Sequence, residues 1–172
     1  MAAILTAPIA VAALVLAVAG AAKLRSPGGA ARALATAGVS VPGAAVRIVA
    51  GAELALAALV LLAPGRAACA LLTAMYAALA LVAGTLARRG AACGCFGGGD
   101  DAPATAAHVW LSAALALVAG AGIAWPAHGI GWLFTGRPGV AAPLALGIVG
   151  AAYAAVLLYT ELPSAWSAWR PR

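Results

Sequence analysis

AACALLTAMYAALALVAGTLA, residues 67–87, holds no charged side chain and is bracketed by Arg66 and Arg88. A bilayer core about 30 Å thick needs roughly 20 apolar residues in a helix that rises about 1.5 Å per residue. In lipid the backbone polar groups must be satisfied within the segment, which a helix does. The run meets that length and is read as a membrane span.

Working outward, four further segments qualify. They are Ala2 to Ala22 with Pro8 in its first turns, Ala44 to Ala63 with Arg47 and Glu53 inside it, Thr105 to Trp125, and Val140 to Tyr159. In the last, Gly147, Gly150 and Ala151 form a small-residue face. The first segment ends in Gly20-Ala21-Ala22, as a cleaved signal does, but lacks a basic n-region and is longer than a typical h-region. It is expected to be retained. The fold class is therefore all-α and polytopic.

Composition agrees. Of 172 residues, 66% are hydrophobic and 8% charged, against about 25% charged in soluble domains. The length suits one domain. The formal charge of +6 comes from basic residues scattered among segment ends. That pattern marks membrane topology and argues against a nucleic-acid partner. The abundant small residues let membrane helices approach closely.

The connections differ in kind. Lys23 to Gly43 carries Lys23, Arg25 and Arg32, with Pro27, Gly28 and Gly29 breaking the first helix, and Ala30 to Ala37 suits a short interfacial helix. Pro64-Gly65-Arg66 is a tight turn, so its flanking helices are expected to be antiparallel neighbours. Arg88 to Pro103 is glycine-rich. Pro126 to Pro138, with Trp125, Trp132 and Phe134 in and beside it, suits an interfacial aromatic belt. Trp166, Trp169, Arg170 and Arg172 read as a membrane-surface tail.

With five spans, Lys23, Arg25, Arg32, Arg47, Arg88, Arg89, Arg170 and Arg172 fall on one side, and Arg66 and Arg137 on the other. The richer side belongs in the cytoplasm. This predicts a multi-pass cell-membrane protein with its N-terminus outside and the Arg88 to Pro103 loop inside.

That loop contains the reactive cluster Cys93-Gly94-Cys95-Phe96-Gly97, followed by Asp100 and Asp101. Cys69 lies at the far end of the preceding helix and reads as a small buried apolar residue. Two thiols separated by one glycine can close a small, strained disulfide, which is labile and exchangeable. Arg88 and Arg89 would favour thiolate; Asp100 and Asp101 would oppose it. Three readings stand: a redox pair, a soft-metal site for Cu(I) or Zn with Asp100, Asp101 and His108 as further ligands, and a structural turn.

Glu53 lies halfway along its span, where a carboxylate facing lipid costs roughly 2.5–3.5 kcal/mol. It should face the bundle interior, be protonated or pair with a base. Arg47 sits on a different face, so a base from Lys23 to Arg32, or the Tyr76 hydroxyl, is the better partner. The functional reading is proton handling or contact with a quinone headgroup; the other is a structural bond between helices. His108 opens the fourth span and can move a proton for a reacting thiol, or simply end the helix. His128 reads as interfacial.

Three pieces carry a family resemblance: Ala22-Lys23-Leu24-Arg25-Ser26-Pro27, Glu53 inside the second span, and Cys93-Gly94-Cys95-Phe96-Gly97. Over residues 1–125 the chain resembles the methylamine utilisation protein MauE family, within a broader DoxX-like group of small four-helix membrane proteins. The resemblance implies a four-helix domain over 1–125; residues 126–172, read as an interfacial loop, a fifth span and a short tail, lie beyond it. It implies a redox-associated membrane protein linked to maturation of the disulfide-rich, periplasmic small subunit of methylamine dehydrogenase. It does not by itself imply methylamine metabolism.

The resulting expectation is thiol–disulfide exchange or electron transfer through Cys93 and Cys95, in the manner of a thiol–disulfide oxidoreductase, with Glu53 and His108 as further site residues. Beyond the bilayer, the expected partner is an exported client, if the loop faces outward, or a cytoplasmic thioredoxin-like protein, if it faces inward. The alternatives are a non-catalytic chaperone or assembly subunit and a copper-handling protein.

Overall fold

The computed structural model describes residues 2–94, 96, 103–135 and 138–162. Cys95, Asp100, Asp101, Arg137 and the Trp166 to Arg172 tail lie outside the described residues. The chain is an all-α polytopic membrane protein. Its helices are α1 (Ala2–Arg25), α2 (Pro27–Ala37), α3 (Gly43–Leu62), α4 (Arg66–Arg88), α5 (Ala106–Ala124) and α6 (Pro138–Thr160). All but α2 are long and apolar enough to cross a membrane.

The central helix is α1. Its residues Ile9, Ala12, Ala13 and Leu16 recur at helical spacing and are fully buried. They meet Ala57 and Val60 of α3, Cys69, Leu72 and Tyr76 of α4, and Ala119 of α5. Alanine at so many of these contacts lets the backbones close up, because dispersion between membrane helices grows as they approach. The outward faces carry Leu62, Leu71, Leu81, Trp110, Leu117 and Leu146, all strongly exposed. Such an apolar exterior suits lipid.

The closest pairings are α4 with α5 and α1 with α3. The helices α3 and α4, joined by the tight turn, touch but pack more lightly. They are neighbours as expected, but away from the turn a cavity lies between them. The last span, α6, rests mainly on α1. Its small-residue face is open at two positions: among the described residues, nothing lies within 4 Å of a methyl placed at Gly147 or Gly150.

The short helix α2 has 11 residues, about 16 Å of rise, too little to span a bilayer. Pro27 starts it, where a missing N–H costs nothing. Gly38, at φ +100°, ends it in a left-handed cap that returns N–H groups to Ala35 and Leu34. The Pro126 to Pro138 connection adds a short 3-10 helix, Ile130–Phe134. Leu133 within it is buried with Ala10 of α1 and Ile148 of α6, while Trp125, Trp132 and Phe134 stay exposed. His128 stacks on Trp132, and its backbone N–H donates to Thr6 Oγ1.

Candidate functional site

The site is built where α1 and α3 come closest. A methyl at Gly20 would sit 3.0 Å from the Ala50 carbonyl and 3.3 Å from Glu53 Cβ. Glycine there brings the two backbones together at the level of Glu53. One turn further along α1, Lys23 reaches across, and its Nζ lies 2.5 Å from Glu53 Oε1. Both residues are buried. Of the two partners expected for Glu53, the base is the one it meets. Tyr76 instead donates its hydroxyl to the Ala12 carbonyl at 2.6 Å, and Arg47 is exposed. The pair uses only one carboxylate oxygen. Among the described residues Glu53 Oε2 is buried without a hydrogen-bond partner.

Lys23 and Glu53 open onto a cavity of about 220 Å³. Its walls are apolar: Ala30, Ala33 and Leu34 of α2, Ala45, Val46 and Val49 of α3, and Met75, Ala78, Leu79 and Val82 of α4. Val41, Cys93 and Gly94 complete the lining.

The cysteine loop is held against this cavity by its own glycine. Gly94 has φ +60°, a conformation that favours glycine. A methyl there would lie 2.6 Å from the Gly29 carbonyl of α2 and 3.1 Å from Ala33 Cβ. Gly94 is therefore required twice, by its backbone and by its contact. Cys93 is buried among Ala33, Leu86 and Ala104. The loop ends are drawn together by a bridge between Ala92 and Pro103 and by the Ala104 N–H donating to Ala91. Arg89 donates its guanidinium to the Thr36 carbonyl, closing the C-terminal turn of α2. That contact ties the cation to α2.

On the other side of the motif, Phe96 packs on Tyr159 of α6, ring centres 5.5 Å apart. Tyr159 also meets the His108 ring, and its hydroxyl lies 3.0 Å from Ser112 Oγ. His108 is buried here, and its Nδ1 accepts from the Thr105 backbone at 3.1 Å in a reciprocal cap of α5. The fold thus brings Glu53 and Cys93 to one cavity and places His108 outside its lining. Cys95 lies outside the described residues. Cys69 is at the opposite end of α4, buried against Ile9 and Gly122, its thiol directed at the Pro64 carbonyl 3.8 Å away.

Two participants were hard to read in advance. Lys23 looks like one more flanking base until Gly20, one turn earlier, is seen to close the gap to Glu53. Tyr159 sits in an apolar run with no local mark of its link to Phe96, His108 and Ser112.

A family model described as methylamine utilisation protein MauE matches residues 1–125. The three pieces that carry the resemblance, around Lys23, Glu53 and Cys93, all lie within that range. No curated protein and no solved structure matches the chain.

Proposed function

The chain belongs to the MauE family, membrane proteins tied to methylamine utilisation, and on that premise we propose that it performs thiol–disulfide exchange through Cys93 and Cys95. The reading is supported above all by one observation: Cys93 lines the same membrane-embedded cavity as the buried Lys23–Glu53 pair. That the neighbouring Gly94 is held against Gly29 by a close approach, fixing the loop at the cavity wall, supports the same reading.

In the exchange a protein dithiol attacks the Cys93–Cys95 disulfide. Its two S–H bonds and the Cys93–Cys95 bond break, a disulfide forms in the partner, and the chain keeps two thiols and two electrons. The purpose is maturation of an exported partner. The basic residues gathered at the loop end favour a cytoplasmic loop, where the client whose dithiol is oxidised is a thioredoxin-like protein; an outward loop would make the exported partner itself the client. Glu53 with Lys23 forms the polar part of the site.

The test is Cys93→Ser and Cys95→Ser, singly and together, with client disulfides counted by mass spectrometry. Loss of client disulfides in all three is expected. Unchanged disulfides in all three sink the proposal.

A second reading, an assembly subunit, is favoured by the open face of α6 around Gly147 and Gly150. It predicts that a partner still co-purifies with the doubly substituted chain, and that client disulfides are unaffected.

A further inference from the structure

We propose that the cavity between α3 and α4 binds the headgroup of a lipid-soluble quinone, which accepts the electrons of the Cys93–Cys95 dithiol. This rests on the thiol reading for its redox step, but the binding site stands on separate observations.

First, the cavity opens toward lipid. Val49 of α3 and Ala78 of α4 line it and are also exposed on spans that cross the membrane. A ligand entering sideways between two spans must be soluble in the bilayer. Second, the walls are apolar apart from one polar corner, which suits a ring with few oxygens. Third, that corner is incomplete. Glu53 Oε2 is buried and, among the described residues, lacks a donor. An acyl chain offers none; a quinol hydroxyl does. Beside it, Lys23 Nζ uses one N–H on Glu53 Oε1 and, with three in all, has others for a quinone carbonyl. The corner therefore matches both states of the ring: Lys23 donates to the oxidised form and Glu53 accepts from the reduced form.

The step balances. The two thiols of Cys93 and Cys95 lose two electrons and two protons as their S–S bond forms. The quinone gains both electrons, and each of its oxygens takes one proton to give the quinol. Reoxidation of the pair then needs no second protein cysteine, and Cys69, at the other end of α4, has no part in it.

The test uses the full chain in phosphatidylcholine nanodiscs and a photoreactive azido-benzoquinone, competed by decyl-benzoquinone, with adducts mapped by mass spectrometry. Saturable adducts on the α3–α4 wall, at residues such as Met75 and Leu79, are expected. Ala78→Phe and Val49→Phe each fill the cavity from one wall, and whichever remains folded should weaken labelling by at least about tenfold, the scale of about 1.4 kcal/mol. Absence of saturable labelling in the parent, adducts elsewhere, phospholipid as the sole occupant, or undiminished labelling in a folded filled variant each overturn the site. Quinone labelling without thiol-dependent client oxidation would fail the exchange reading alone. Thiol-dependent oxidation without labelling would fail this inference alone.

Discussion

Lys23 Nζ and Glu53 Oε1 lie 2.5 Å apart, joining the last turn of α1 to the middle of α3 inside the bundle. A buried pair of this kind is weak evidence of net stability, but breaking it is costly because one charge is stranded. Lys23→Met should therefore destabilise the chain by about 3–5 kcal/mol. Lys23→Met combined with Glu53→Leu should cost much less than the two changes summed. Thermal unfolding in detergent checks both, and a Lys23→Met chain as stable as the parent would mean the pair does not form.

Gly94→Ala should release the cysteine loop from α2. The left-handed backbone alone costs an alanine about 1–2 kcal/mol, and its methyl would strike the Gly29 carbonyl. Alkylation of Cys93 by a small maleimide should become faster in this variant. An unchanged rate would show that the loop is held by something other than the Gly94–Gly29 contact.

His108→Ala removes one half of the reciprocal cap on α5. A loss of about 1 kcal/mol in stability is expected. The alkylation rate of Cys93 and its pH profile should stay as they are, since His108 does not line the cavity. A changed pH profile would instead give His108 the proton-moving part.

Tyr76→Phe deletes the hydroxyl that donates to the Ala12 carbonyl. Stability should fall by about 0.5–1.5 kcal/mol, while quinone labelling persists, because Tyr76 does not line the cavity. Loss of labelling would place the hydroxyl at the site.

In a Cys69→Ala background only the motif thiols remain. With the basic residues setting orientation, a membrane-impermeant maleimide should label them only after permeabilisation. Labelling in intact cells would turn the protein over and make the exported client the direct partner.

The amino-acid sequence by itself determined the membrane class, the five spans and nearly every boundary between them. A span is decided by the local sum of apolar transfer energies over about 20 residues, and that sum is written in each segment. The same holds for the turn at Pro64-Gly65 and the separation of Cys69 from the motif. The base that meets Glu53 was legible only as a choice among several. The tertiary structure alone chose Lys23 through the close approach at Gly20, drew Glu53 and Cys93 to one cavity, sent Tyr76 to Ala12 instead of Glu53, and left α3 and α4 parted although a tight turn joins them. Those outcomes depend on which helix faces meet. Where almost every face is alanine, leucine or valine, hydropathy cannot rank them; the decision falls to shape, one glycine or one methyl at a time.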